Sequence, residues 1–117
     1  QNSIQSTFSN ALNIEWEKKN NAYEAEFDMD STEYTVYLDG AGKIIVYKQD
    51  IKEAELPASI TSAIARDHSG SRIDDADKIH KDGATYYRVE LDAPGKKDRH
   101  LLYAVDGKIA PPVPYIN

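Results

Sequence analysis

Carboxylates and histidines are the residues of this sequence with the clearest capacity for chemistry. Asp28-Met29-Asp30-Ser31-Thr32, with Asp39 eleven residues after Asp28, spaces oxygen ligands at alternating positions, as calcium requires. Glu33 stands where such a loop needs glycine for its sharp turn, and residues 34–38 read as strand. The segment is therefore expected to be a polar turn, and no metal ligand is assigned. Asp74, Asp75 and Asp77 form a second acidic cluster. Glu15, Glu17, Glu24, Glu26 and Asp28 alternate with apolar residues, which is the pattern of a solvated strand face. His68, His80 and His100 stand at no metal-ligand spacing with one another or with a carboxylate. No nucleophile, base and orienting group come together in the sequence, so no catalytic residue is assigned and the chain is expected to be non-enzymatic. Nothing implies a cofactor. Cysteine is absent, which excludes thiolate chemistry and disulfides.

A second kind of chemistry is recognition. Thr35, Tyr37, Ile45, Tyr47, Tyr86, Arg88, His100 and Leu102 all have the parity opposite to the expected core residues. A sheet covered by helices on one face leaves such residues as an open surface. Tyrosine and arginine anchor protein interfaces because they bury large area at small entropic cost. Tyr37, Tyr47, Tyr86, Arg88, His100 and Leu102 are therefore the expected partner-binding residues. Ordinary packing of these side chains on each other, or on the proline-rich C-terminal segment, is the alternative.

The elements that must position them follow from periodicity. Ile4 and Phe8 are four apart, as on one helical face. Leu12, Ile14 and Trp16 alternate with polar residues, as do Tyr23, Ala25, Phe27 and Met29, and then Tyr34, Val36 and Leu38. Gly40-Ala41-Gly42 turns the chain into a strand in which Ile44 and Val46 face one way and Ile45 and Tyr47 the other. Short turns between four such strands make an antiparallel meander. Leu56, Ile60, Ala63 and Ile64 change the period to that of a helix over about 57–68, with Pro57 in its first turn and Ser69-Gly70 as its stop. Strands resume at 73–80, 84–92, 99–106 and from 108 onward. Pro111-Pro112-Val113-Pro114 cannot lie inside a sheet.

The two halves resemble each other. Tyr23, Ala25 and Phe27 fall on Tyr87, Val89 and Leu91 at an offset of 64, and Gly42-Lys43-Ile44 falls on Gly107-Lys108-Ile109 at an offset of 65. The expected fold is α+β: a single domain over 1–117 made of two tandem repeats, about 1–50 and 51–117. Each repeat is a helix plus four strands. Together they form an antiparallel sheet of about eight strands, with helices on one face. Trp16, Phe27, Val36, Leu91, Tyr103 and Val105 are the residues expected beneath the helices.

Net charge is −6, which argues against nucleic acid or an anionic membrane as partner. The one basic cluster, Lys96-Lys97-Asp98-Arg99-His100, lies beside Pro94-Gly95 and reads as a solvated hairpin turn. No apolar run is long enough to span a membrane.

Four strings of this sequence resemble a known family. They are Phe8-Ser9-Asn10-Ala11-Leu12-Asn13-Ile14-Glu15-Trp16-Glu17, then Tyr23-Glu24-Ala25-Glu26-Phe27, then Asp39-Gly40-Ala41-Gly42, then Leu56-Pro57 opening the helix. In that order and spacing they are similar to the PepSY-like family of periplasmic proteins, also described as β-lactamase-inhibitor-protein-like. The resemblance covers nearly the whole chain. It implies a two-repeat sheet backed by helices and export to the envelope of Bacteroidetes-like bacteria, the signal peptide having been removed ahead of Gln1. It supplies no catalytic residues. The β-lactamase inhibitor proper carries disulfides, and this chain departs from it in having no Cys. The expected function is a non-enzymatic periplasmic or envelope binding module for an unidentified protein or peptide, of the protease- or hydrolase-inhibitor kind. A small-molecule or ion-binding sensor is the alternative.

Overall fold

The computed structural model describes Ile4, residues 7–113, Tyr115 and Ile116. Seven strands form one antiparallel sheet in strict sequence order: β1 (Leu12–Lys18), β2 (Tyr23–Met29), β3 (Thr32–Leu38), β4 (Ile44–Ile51), β5 (Arg72–Lys81), β6 (Ala84–Asp92) and β7 (Arg99–Ala104). One helix, α1 (Ala58–Asp67), lies between β4 and β5. A single open sheet is a wide, shallow object. The molecule measures 44 × 28 × 28 Å with a radius of gyration of 15.2 Å, above the roughly 13 Å of a compact chain of this length.

The alternation read from the sequence places the core. On the helix side, Ile60, Ala63 and Ile64 of α1 pack with Ala76, Val89, Leu91 and Tyr103. Beside them Ile4 and Phe8 cover Ala25, Phe27, Tyr34, Val36 and Leu38. Phe8 meets Phe27, Tyr34 and Tyr47 at centroid distances of 5.1, 5.6 and 5.0 Å, within the range of favourable aromatic pairs. Ile4 and Thr7 have helical backbone, and Phe8 N–H donates to the Ile4 carbonyl. The remainder of the expected N-terminal helix falls outside the described residues.

Four expectations are corrected. The eighth strand is only a bridge, Tyr103 to Ile109, because the prolines that follow have no N–H to continue a ladder. Four strands thus precede α1 and three follow it, and two equivalent helix-plus-four-strand repeats are not displayed. Trp16 is 39% exposed because β1 is an edge strand of the sheet. Val105 is 55% exposed because it lies past the end of β7, in a turn whose carbonyl accepts a hydrogen bond from the Ser59 hydroxyl at 2.6 Å. In β1 the bulge at Asn13, φ +58, shifts the register between Leu12 and Glu15. Leu12 therefore pairs with Asp28 and is exposed, out of phase with Trp16.

Candidate functional site

The sheet face opposite α1 is divided into a covered end and an open middle. At the covered end Tyr37, Val46 and Ile79 are buried under Val113 and Ile116 of the C-terminal segment, with Ile45, Tyr86 and Leu102 packed against them. The tail is held by Ala110 N–H donating to the Leu102 carbonyl at 2.8 Å and by Tyr115 stacking on Tyr37 at 5.1 Å. The Tyr37 hydroxyl donates to Glu24, and burial followed by that bond pushes its pKa up.

The open middle is a polar groove of about 260 Å³ lined by Glu26, Glu33, Thr35, Lys48, Asp50, Asp75, Asp77 and Arg88. Period-two geometry places them on one face, since strand neighbours two apart point the same way. Register then aligns them across strands: Glu26 opposite Thr35, Thr35 opposite Lys48, Asp50 opposite Asp77, and Asp77 opposite Arg88. The floor is buried. Thr35 and Asp77 are each 7% exposed, and Arg88 Nη1 donates to Asp77 Oδ2 at 2.9 Å. Arg88 Nη2 donates to His100 Nδ1 on β7, so a charged chain crosses β5, β6 and β7. The rim residues Glu26, Glu33, Asp50 and Asp75 are exposed.

The groove is electrostatically unfavourable to its own carboxylates. Five carboxyl groups face two cations. Burial raises the Asp50 pKa, and the negative charges of Asp75, Asp77 and Glu33 and a hydrogen bond shared with Asp75 raise it further. Glu26 is raised by burial and then by Glu24, Glu33, Glu15 and Glu17. Asp77 is raised too: the burial of its ionised form outweighs the attraction of Lys48 and Arg88, even though its ion pair is short. Removing a carboxylate from water costs more than one partly screened cation returns.

The six expected partner-binding residues are dispersed. Arg88 lines the groove, and His100 lies outside the lining, bonded to Arg88. Tyr37, Tyr86 and Leu102 share the same face but pack against the tail, as in the alternative reading. Tyr47 is on the other face. The register shift between Tyr37 and Leu38 inserts Ile45 as an extra residue in β4, so Val46 pairs with Tyr37 and Tyr47 with Val36. Tyr47 consequently stands beneath Phe8, with its ring on His80 at 4.5 Å. Ile45, expected among the outward residues, does pack against the back cluster. Lys48 and Asp50 carry no site signal in the sequence, where Glu33 figures only as the residue that breaks a calcium-like loop. Glu33 shares the parity of Thr35, a usable signal, but the β4 bulge hid the other two.

The remaining chemical residues have structural roles. Asp39 Oδ1 accepts from Ala41 and Lys43 N–H at 2.9 Å each, which is an Asx turn. The seven residues of β3 separate it from Asp30, about 20 Å of strand, so the calcium-like string forms no single loop. His68 caps the C-terminus of α1. Among the described residues, three carboxylates converge within 4.8 Å only at Asp74, Glu90 and Asp98, on the surface.

With fold and groove in place, solved structures give the comparison. The chain superposes on a DUF2874 family protein from Bacteroides uniformis with a TM-score of 0.87 at 19% identity, over 93% of this chain and 82% of the other. A BLIP-like protein from Bacteroides fragilis gives 0.82 at 20% identity, over 94% and 79%. The fold is BLIP-like. A protein from Bacteroides eggerthii, named as a putative periplasmic protein, gives 0.87 at 17% identity over 93% and 81%. The sequence matches no protein-family model and no curated protein. Identities this low establish the BLIP-like fold and do not extend to membership of the PepSY-like family.

Proposed function

We propose that this chain is a non-enzymatic binding module of the bacterial envelope, exported to the periplasm, that engages a protein or peptide through the open sheet face. The observation that carries this reading is the groove floor. Asp77 and Arg88 form an ion pair with side chains only 10% and 12% exposed, at the bottom of a polar cleft. A fold gains little from burying such a pair. Carboxylates perturbed by burial and like charge, grouped in a cleft, are characteristic of functional sites. The neighbour named as periplasmic and the PepSY-like resemblance support the location. The BLIP-like neighbour supports an inhibitor-type role against a protease or hydrolase.

The reading is tested by affinity capture. The protein is immobilised beside its Glu33→Lys/Asp75→Lys variant, which reverses two exposed rim charges without touching the core. Both are then exposed to envelope extract. We expect a protein retained by the first and lost from the variant. Equal retention removes the groove face as the binding surface and returns the question to a small-molecule or ion sensor, read as a ligand-dependent rise in Tm.

A further inference from the structure

We infer that the groove seats the guanidinium of an arginine side chain presented by the bound protein. The inference rests on the binding reading above and supplies the chemistry of the contact. Three observations point to it. The lining carries five carboxyl groups against Lys48 and Arg88, so the vacant charge in the groove is positive. Thr35 is 7% exposed and lines the groove, yet its hydroxyl makes no hydrogen bond among the described residues. Among the described residues no fully sealed polar side-chain atom lacks a partner, so this hydroxyl opens into the groove, where its oxygen is placed to accept from an N–H donor. Finally, the groove carboxylates stand too far apart to close on one small ion. The only three-carboxylate convergence among the described residues lies elsewhere, at Asp74, Glu90 and Asp98.

A wide acidic ring therefore selects a broad cation over a compact one. A guanidinium is planar and delocalised, with five donors in a fixed fork, and is more weakly hydrated than an ammonium. It can reach rim carboxylates on both sides while one N–H meets Thr35. About 260 Å³ holds such a group with its last methylenes, being roughly nine water volumes. A cation between Asp50 and Asp75 would also offset the mutual repulsion of these two carboxyl groups.

The test is an amide-resolved NMR titration at about 20 mM salt, where screening is weak. The probes are Nα-acetyl-L-arginine amide, its neutral isostere Nα-acetyl-L-citrulline amide, and calcium chloride. We expect saturable shifts at Thr35, Lys48, Asp50 and Asp77 with the arginine probe and none with citrulline. In Asp50→Asn/Asp75→Asn the arginine affinity should fall at least about tenfold. In Thr35→Val, which keeps the β-branched shape and every charge, it should fall about threefold. Absence of saturable shifts in the groove overturns the inference. So do equal shifts from citrulline, affinities unchanged in both variants, or saturation of these amides by calcium alone. A silent titration beside capture that is lost on rim reversal overturns the arginine seat and leaves the binding reading intact. A positive titration beside unchanged capture removes the protein-borne source, which overturns the inference as stated.

Discussion

Tyr47 and Asp50, three residues apart on β4, separate packing from electrostatics. Tyr47 lies in the aromatic cluster with Phe8, Tyr34 and His80. A glutamate there would leave an ionised group against Phe8 and open a cavity. Tyr47→Glu should therefore lower unfolding free energy by about 3 kcal/mol or more, read from urea denaturation. Asp50 behaves oppositely. Its folded-state pKa is raised by burial and by Asp75, Asp77 and Glu33. A raised carboxyl pKa contributes stability that is fully present below its ordinary value of 3.8 and is lost as pH rises through the folded value. Asp50→Asn does not titrate. The Tm of the variant should exceed that of the parent at about pH 7, and the gap should be smaller at about pH 3. A gap that widens on acidification would show that Asp50 gains more from Lys48 and Arg88 than it loses to its acidic neighbours.

At the scale of elements, the turn after β7 docks the sheet onto α1. Ser59 in the first turn of α1 donates to the Val105 carbonyl at 2.6 Å. Gly107, at φ +87, brings its backbone so close that an added Cβ would stand 2.5 Å from the Ser59 carbonyl oxygen. No side chain can occupy that space, and the φ value itself favours glycine. Gly107→Ala should cost about 2 kcal/mol or more through steric clash and backbone strain, measured by thermal unfolding. Gly95, also at positive φ, has nothing within 4 Å of its added Cβ, so Gly95→Ala carries the conformational penalty without the clash and should cost less. Equal losses at both glycines would mean that the contact with α1 adds nothing.

The whole molecule is one thin sheet with three separate apolar clusters. Two lie on the helix side, one around Ile60 and one around Phe8, and the third lies under the C-terminal segment. An open sheet has no second layer to fuse them. Ile60→Ala and Phe8→Ala should each destabilise by about 2–5 kcal/mol. Because the sites share no cluster, their combined effect should equal the separate effects added, within about 0.5 kcal/mol. A double-mutant cycle in urea measures this, and a larger coupling energy would show that the helix-side clusters form one cooperative core.

Local chemistry by itself determined much of this protein. Period-two alternation in Tyr23, Ala25 and Phe27, and again in Tyr87, Val89 and Leu91, sets the strands and their buried face, because successive side chains must point oppositely. The apolar spacing from Leu56 to Ile64, with Pro57 ahead of it, sets α1 to within a residue at each end. These signals are encoded within a few residues of one another. Tertiary structure alone decided the site. The bulges at Asn13 and Ile45 each add one residue, and one residue reverses every side chain on that side of the bulge. That reversal moved Tyr47 under Phe8 and brought Lys48 and Asp50 to the groove. Likewise, cover depends on where distant segments come to rest. Residues 113 and 116 bury Tyr37 and leave Thr35, Asp77 and Arg88 at the bottom of an open cleft. A bulge is chosen by the pairing of two strands, and a cover by the path of the whole chain, so neither is written in the spacing of neighbouring residues.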